Sequence, residues 1–271
     1  MTNTHQPVGT PVWLDLGSND FAASKDFYNG LFGWEFEDSG PEFGHYAMIR
    51  NNGTAVGGAM DTSGMTCPEG GEIPSVWDVY LSVDDLEARL AKARENGATV
   101  IVEPGQVGDA GRFAIVVDPS GTPIGMWEPN QLSGYDFTGA PGSPVWFELM
   151  TSDFDRAVDF YTKVFDADFV PMPESEGFYV TNGTGDATKF GVCNVLMWGE
   201  NPGAPTPGRP NNYWRIYLNT ESLDPALEKV RELGGQVLDG PEESPFGRLA
   251  TIADPQGAFF QLIATSEASE E

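Results

Sequence analysis

The chain has 271 residues and carries 41 Asp and Glu against 14 Lys and Arg, a formal net charge of −27 at pH 7. Phosphates and anionic lipid surfaces repel such a chain, and it holds no Lys/Arg stripe for counterion release, so neither nucleic acid nor membrane is expected as a partner. An apolar fraction of 40% with 12% aromatics is enough for folded cores, and the length suits one or two domains.

Val12–Leu16 alternates as a strand, and Asp20 then caps a helix that puts Phe27, Leu31 and Phe32 on one face. Extended segments follow at Trp34–Phe36, Tyr46–Ile49 and Ala55–Met60, with Asn51-Asn52-Gly53 reading as a hairpin turn. A second unit opens on the strand Val76–Val83. Asp84-x-x-Glu87 reads as the capping box of a helix built on Leu86, Leu90 and Ala93, which stops at Asn96-Gly97. Strands near Thr99–Val102 and Phe113–Val117 come next, and the Asp118-Pro-Ser-Gly turn leads into Ile124–Glu128.

The same order then repeats. Residues 11–35 reappear at 144–168 with an offset of 133, matching Trp13/Trp146, Leu16/Leu149, Asp20/Asp153 and Phe27-Tyr28/Phe160-Tyr161. Tyr80-Leu81 matches Tyr217-Leu218, Gly111-Arg112 matches Gly247-Arg248, and Asp118-Pro-Ser-Gly matches Asp254-Pro-Gln-Gly. The last helix runs from about Leu223 to Leu233 and stops at Gly234-Gly235. The expected architecture is α+β, four βαβββ units in two tandem domains at 10–130 and 143–264. A flexible leader (1–9), a Gly/Pro-rich linker (131–142) and an acidic tail (265–271) complete the chain, and the Pro/Gly-rich segments Gly64–Pro74 and Glu200–Arg209 are candidate flaps.

Cys67 and Cys193 lie far apart with no CxxC spacing, which gives neither a disulfide framework nor a thiolate metal site and points to a reducing cytoplasm. The first residues lack a basic n-region and an apolar h-region, and no apolar run is long enough to cross a bilayer. The only histidines are His5, in the leader, and His45, which reads as a loop residue. Neither has a repeat counterpart, so no nucleophile–base arrangement can be argued. Cys193 reads as a buried inert thiol.

The strand followed by Asp-x-x-x-[Ser/Ala]-x-x-Phe-Tyr, the Tyr-Leu-x-[Val/Thr]-[Asp/Glu] strand before a capped helix, and the Gly-Arg…Asp-Pro-x-Gly ending resemble the vicinal oxygen chelate superfamily of glyoxalase I, bleomycin-resistance proteins and extradiol dioxygenases. The likeness covers nearly the whole chain twice and is closest to the tandem actinobacterial branch labelled glyoxalase-like or hydroxylase-like. It implies cupped mixed sheets that enclose small-molecule cavities. Metal-binding members place His or Glu at four strand positions. Here those positions hold Trp13, about Gly58, Asp78 and Gly125, then Trp146, about Cys193 or Asn194, Arg215 and Gln261. Indole, guanidinium and glycine cannot ligate a divalent ion, so no metal or other cofactor is expected.

Residues at i and i+2 of a strand share a face, which sets Asp15 beside Trp13, Glu148 beside Trp146, Tyr80 beside Asp78 and Tyr217 beside Arg215. Glyoxalase-like pairing would group Trp13 and Asp15 with Arg215, Tyr217 and Gln261. It would group Trp146 and Glu148 with Asp78, Tyr80 and Trp127, a pocket with two carboxylates and no cation that would favour a cationic or proton-donating ligand, while the first pocket, its charge balanced, would be structural or take a neutral polar one. Pairing within each half would change that assignment. The leading expectation is a protein, monomeric or homodimeric, that holds a small aromatic or natural-product-like molecule in a metal-free cavity. The alternative is a metal-independent tailoring enzyme, lyase or isomerase in which Glu148 or Asp78, its pKa raised by burial, acts as general base. A metal-dependent glyoxalase or dioxygenase ranks below both.

Overall fold

The computed structural model describes residues 6–66, 70–135, 138–173, 175–185, 189–196 and 212–268. His5, Cys67, the segment Glu200–Arg209 and the end of the acidic tail lie outside the described residues. The first half runs β1 (Pro11–Ser18), α1 (Phe21–Phe32), β2 (Glu35–Asp38), β3 (Ala47–Asn51), β4 (Thr54–Asp61), β5 (Val76–Ser82), α2 (Leu86–Glu95), β6 (Thr99–Val107), β7 (Gly111–Val117) and β8 (Pro123–Pro129). The second repeats it as β9 (Pro144–Thr151), α3 (Phe154–Phe165), β10 (Phe169–Pro171), β11 (Tyr179–Asn182), β12 (Gly191–Asn194), β13 (Tyr213–Asn219), α4 (Leu223–Glu232), β14 (Gln236–Ser244), β15 (Gly247–Ala253) and β16 (Phe259–Ala264).

Each half carries an eight-stranded mixed sheet, ordered β2-β3-β4-β1-β5-β8-β7-β6 and β10-β11-β12-β9-β13-β16-β15-β14. The hairpins pair antiparallel, whereas β1 with β4 and β5 with β8 pair parallel, because a helix or a returning strand separates them in sequence. Asn52 and Gly53 both take positive φ, 50° and 82°, in the expected two-residue hairpin turn. Asp20 caps α1 by accepting from the Ala23 N–H at 3.1 Å. The expected Asp84–Glu87 capping box is overturned. Asp85 is the N-cap, accepting from Ala88 N–H at 3.0 Å, while Asp84 is drawn off into a two-oxygen pairing with the Arg89 guanidinium.

Two compact units cut across the halves, each taking one βαβββ module from each half. In the unit made of the second and third modules, α2 packs on α3. Arg89, buried, donates from α2 to the Val164 carbonyl at 2.9 Å and to Asp166 at 2.6 Å. Its core stacks Tyr161 on Phe165 and sets Trp214 edge-on. In the unit made of the first and last modules, α1 packs on α4, and Gly30 allows that approach because a Cβ there would stand 2.7 Å from Leu233 Cδ2. Its core stacks Tyr28 on Trp34 with Trp77 edge-on. No helix among the described residues is long and apolar enough to cross a membrane.

Candidate functional site

β9 alternates, so Trp146 and Glu148 project from one face. Glu148 lies level with Gly191 on the neighbouring β12, and the ring of Tyr179 on β11 covers that glycine so closely that a Cβ on Gly191 would overlap the hydroxyl. From there the Tyr179 O–H donates to Glu148 Oε1 at 2.6 Å. The Trp146 indole N–H donates to the Tyr179 oxygen at 3.1 Å and reaches Glu148 Oε1 at 3.3 Å. Arg215 of β13 stands on the other side, with Nη1 3.8 Å from Glu148 Oε2 and Nη2 donating to Tyr213 Oη at 3.0 Å. Glu148, Arg215 and Tyr179 are 6%, 3% and 8% exposed, while Trp146 is half-buried. A carboxylate and a guanidinium buried together offset each other's charge, which either alone could do only at high desolvation cost.

The carboxylate site expected to lack a cation contains one, because Arg215 of β13 stands beside Glu148 of β9 and these two strands are neighbours in the second sheet. Cys193 pairs across from Tyr179, fully buried. Burial first, and then the Glu148 carboxylate, push its thiol well above the usual range, so it stays protonated and unreactive.

The first half repeats the tyrosine device. Asp15 lies level with Gly58, a Cβ on Gly58 would overlap the Tyr46 hydroxyl, and that hydroxyl donates to Asp15 Oδ1. Tyr46 and Tyr179 were not among the residues singled out from sequence, although they share the offset of 133 that links Trp13 to Trp146 and Asp15 to Glu148. Tyr80 plays a similar part on β5, its ring lying over Gly125 of β8 and edge-on to Phe113, with ring centroids 6.5 Å apart.

The remaining candidates divide by what already holds them. Trp127 donates its indole N–H to the Leu132 carbonyl at 2.9 Å, which fixes the chain after β8. Gln261, 1% exposed, exchanges hydrogen bonds with the Thr251 hydroxyl and sits opposite Tyr217 in the β13–β16 register. Trp13 is buried on β1, and Asp78 is half-buried on β5. His45 is an exposed loop residue as expected, its Nδ1 2.9 Å from Asp38 Oδ2, and that hydrogen bond is the main reason the Asp38 carboxyl lies below its ordinary value.

The positions that the family resemblance assigns to metal ligands do not fit a divalent ion. Tyrosines cover Gly58 and Gly125, a guanidinium occupies position 215, and the Trp146 indole donates a hydrogen. Among the described residues no group of three or more His, Cys, Asp and Glu is placed to hold a metal.

Comparison with known proteins puts this geometry in context. The chain is 35% identical over 259 residues to the putative glyoxylase CFP32 of Mycobacterium bovis, covering 94% of each chain. It is 33% identical over 282 residues to the anthracycline biosynthesis protein DnrV of Streptomyces peucetius, covering 96% of this chain and 94% of that one. A Mn(II)-bound glyoxalase from Novosphingobium aromaticivorans shares the fold with a TM-score of 0.62 at 15% identity, over 96% of this chain and 83% of that one. The glyoxalase/bleomycin resistance protein/dioxygenase family model matches residues 10–126 and again 143–262, so the chain belongs to that superfamily, with one copy of its domain in each half.

Proposed function

We propose that the chain binds a small planar organic molecule, aromatic or natural-product-like, by hydrogen bonding and ring contact without a metal. The observation that carries this reading is the repeated covering of a strand glycine by a tyrosine whose hydroxyl returns to a carboxylate, Tyr46 with Asp15 and Tyr179 with Glu148. A phenol offers a donor, an acceptor and a flat apolar face, and indole and guanidinium add donors beside it. That combination suits a flat ligand with a polar handle. The relative named for anthracycline biosynthesis, alike over nearly its whole length, supports a ligand of that kind. Trp13, Asp78, Tyr80, Trp127, Tyr217 and Gln261 are the further lining positions on this reading, and the buried Cys193 thiol suits a reducing, cytoplasmic setting. A general-base role for Glu148 has less support, because its Oε1 already accepts from a phenol and an indole, which suits a positioning carboxylate better than a proton acceptor.

Isothermal titration of the native protein with naphthalenes bearing hydroxyl, methoxy, carboxylate or ammonium groups, before and after exhaustive chelation, tests the proposal. Saturable binding of at least one probe, unchanged by chelation, is the expected result. Binding of none, or binding that disappears with chelation and returns with Mn²⁺, would overturn it.

A further inference from the structure

The two helix pairs follow one plan but differ where α2 carries Arg89. That side chain, 7% exposed, lies between α2 and the end of α3. Its guanidinium donates to the two oxygens of Asp84 at 2.8 and 3.1 Å, to the Val164 carbonyl at 2.9 Å and to Asp166 at 2.6 Å. The repeat gives the counterparts in the other pair, at an offset of 137 between α2 and α4 and of 133 between α1 and α3. Ala226 stands where Arg89 does, Glu221 where Asp84 does, and Leu31 where Val164 does. All three line a groove of about 530 Å³ between α1 and α4, together with Gly30 and Lys229. The groove therefore occupies the place that an arginine side chain fills in the other pair.

We propose that this groove binds a small alkylguanidinium compound, whose cation sits between Glu221 and the end of α1 as the Arg89 guanidinium sits between Asp84 and the end of α3. The Glu221 carboxylate takes the part of Asp84. The Leu31 carbonyl takes the part of Val164, in the last turn of α1, where carbonyls lack donors within the helix. A planar fork of N–H groups serves two such acceptors together, whereas an ammonium is a compact point charge. The negative end of the α1 dipole and the net charge of −27 both favour a cation there. Lys229 does not oppose this, since its Nζ lies 3.4 Å from Glu232, and its counterpart Lys92 acts on the Asp166 carboxylate that Arg89 binds. Gly33 stands where Asp166 does, so the groove offers one carboxylate where Arg89 has two, and a free ligand is held reversibly. Its volume is that of a small-molecule site. The groove shares no residue with the Glu148 and Asp15 groups, and this inference does not rest on the binding reading above.

Titration of the full chain with n-propylguanidinium, which reproduces an arginine side chain from its Cβ outward, tests the proposal through the NMR shifts of backbone amides. Saturable shifts at Leu31 and Ala226 are expected, with an affinity at least about threefold above that for the neutral n-propylurea, the lower end for a hydrogen bond to a partly exposed charge. n-Propylammonium should bind more weakly than the guanidinium. Ala226→Arg should abolish the shifts, because its own guanidinium then fills the groove, and Glu221→Gln should remove the preference over the urea. If Ala226→Arg does not fold, Glu221→Gln decides. Absence of saturable shifts overturns the proposal, as does binding that either folded variant leaves unchanged. Shifts spread over the surface carboxylates and equal for the two cations also overturn it, since they report diffuse attraction to an acidic protein. Tighter binding of Nα-acetylarginine methylamide than of n-propylguanidinium would overturn the small-molecule assignment in favour of a protein's arginine.

Discussion

At Gly191 the absence of a single methyl group decides where a tyrosine can lie. Its Cα hydrogen leaves room for the Tyr179 phenol, and only from that place does the hydroxyl reach Glu148 at 2.6 Å. Gly191→Ala should push the hydroxyl off the carboxylate and lower stability by roughly 1–3 kcal/mol, the range for overpacking together with a lost hydrogen bond to a charged group. Tyr179→Phe should then cost clearly less in the Gly191→Ala background than in the wild type, because the bond it removes is already broken. Urea denaturation of the two single variants and the double variant measures this, and additive costs would show that the glycine and the tyrosine act independently. Trp146, Glu148 and Arg215 could be picked out of the sequence as polar replacements on a strand face. Tyr179 could not be reached by the same route, since attention to expected ligand positions passes over the neighbour that fills the space a glycine leaves.

Between elements, the Phe-Tyr of each odd-numbered helix meets the Asp-Pro-x-Gly turn of a distant strand pair. Tyr161 of α3 donates to Asp118 at 3.0 Å, and Tyr28 of α1 donates to Asp254 at 3.2 Å. The aspartates also accept from their own turns, Asp118 from the backbone N–H of Ser120 and Thr122 and Asp254 from those of Gln256 and Ala258. Burial nevertheless raises both carboxyls above their ordinary value, with these hydrogen bonds opposing it only in part. The folded state therefore keeps a proton that the unfolded chain releases from about pH 4 upward, so each of these groups favours unfolding as pH rises from there through its folded value. Asp118→Asn cannot ionise and escapes that loss. The stability advantage of wild type over Asp118→Asn should be greatest near pH 4 and shrink as pH rises, as denaturation curves at a series of pH values would reveal. An advantage that grew with pH would mean that the folded carboxyl is held ionised.

At the scale of the whole molecule, surface cations among the described residues form short pairs such as Arg50–Glu37, Arg112–Glu87, Lys163–Asp159 and Arg248–Asp224, and the sequence holds a large excess of carboxylate. Exposed pairs of this kind contribute little each, whereas a net charge of −27 repels itself over distances set by the Debye length, which shortens from about 30 Å at 0.01 M salt to below about 10 Å at 0.2 M. The thermal midpoint should therefore rise between those salt concentrations, and a fall would show that the surface pairs outweigh the repulsion. The repeat, the four βαβββ units, the Asp20 cap and the Asn52-Gly53 turn were all legible in the sequence, because caps, turns and hydrophobic period depend on residues close together in the chain. The choice between Asp84 and Asp85 as N-cap was not, because Arg89 competes for one of them. Nor did the sequence show that Arg215 meets Glu148, or that each compact unit draws one module from each half. Those contacts join residues far apart in the chain, and they follow from sheet order and register, which only the folded tertiary structure decides.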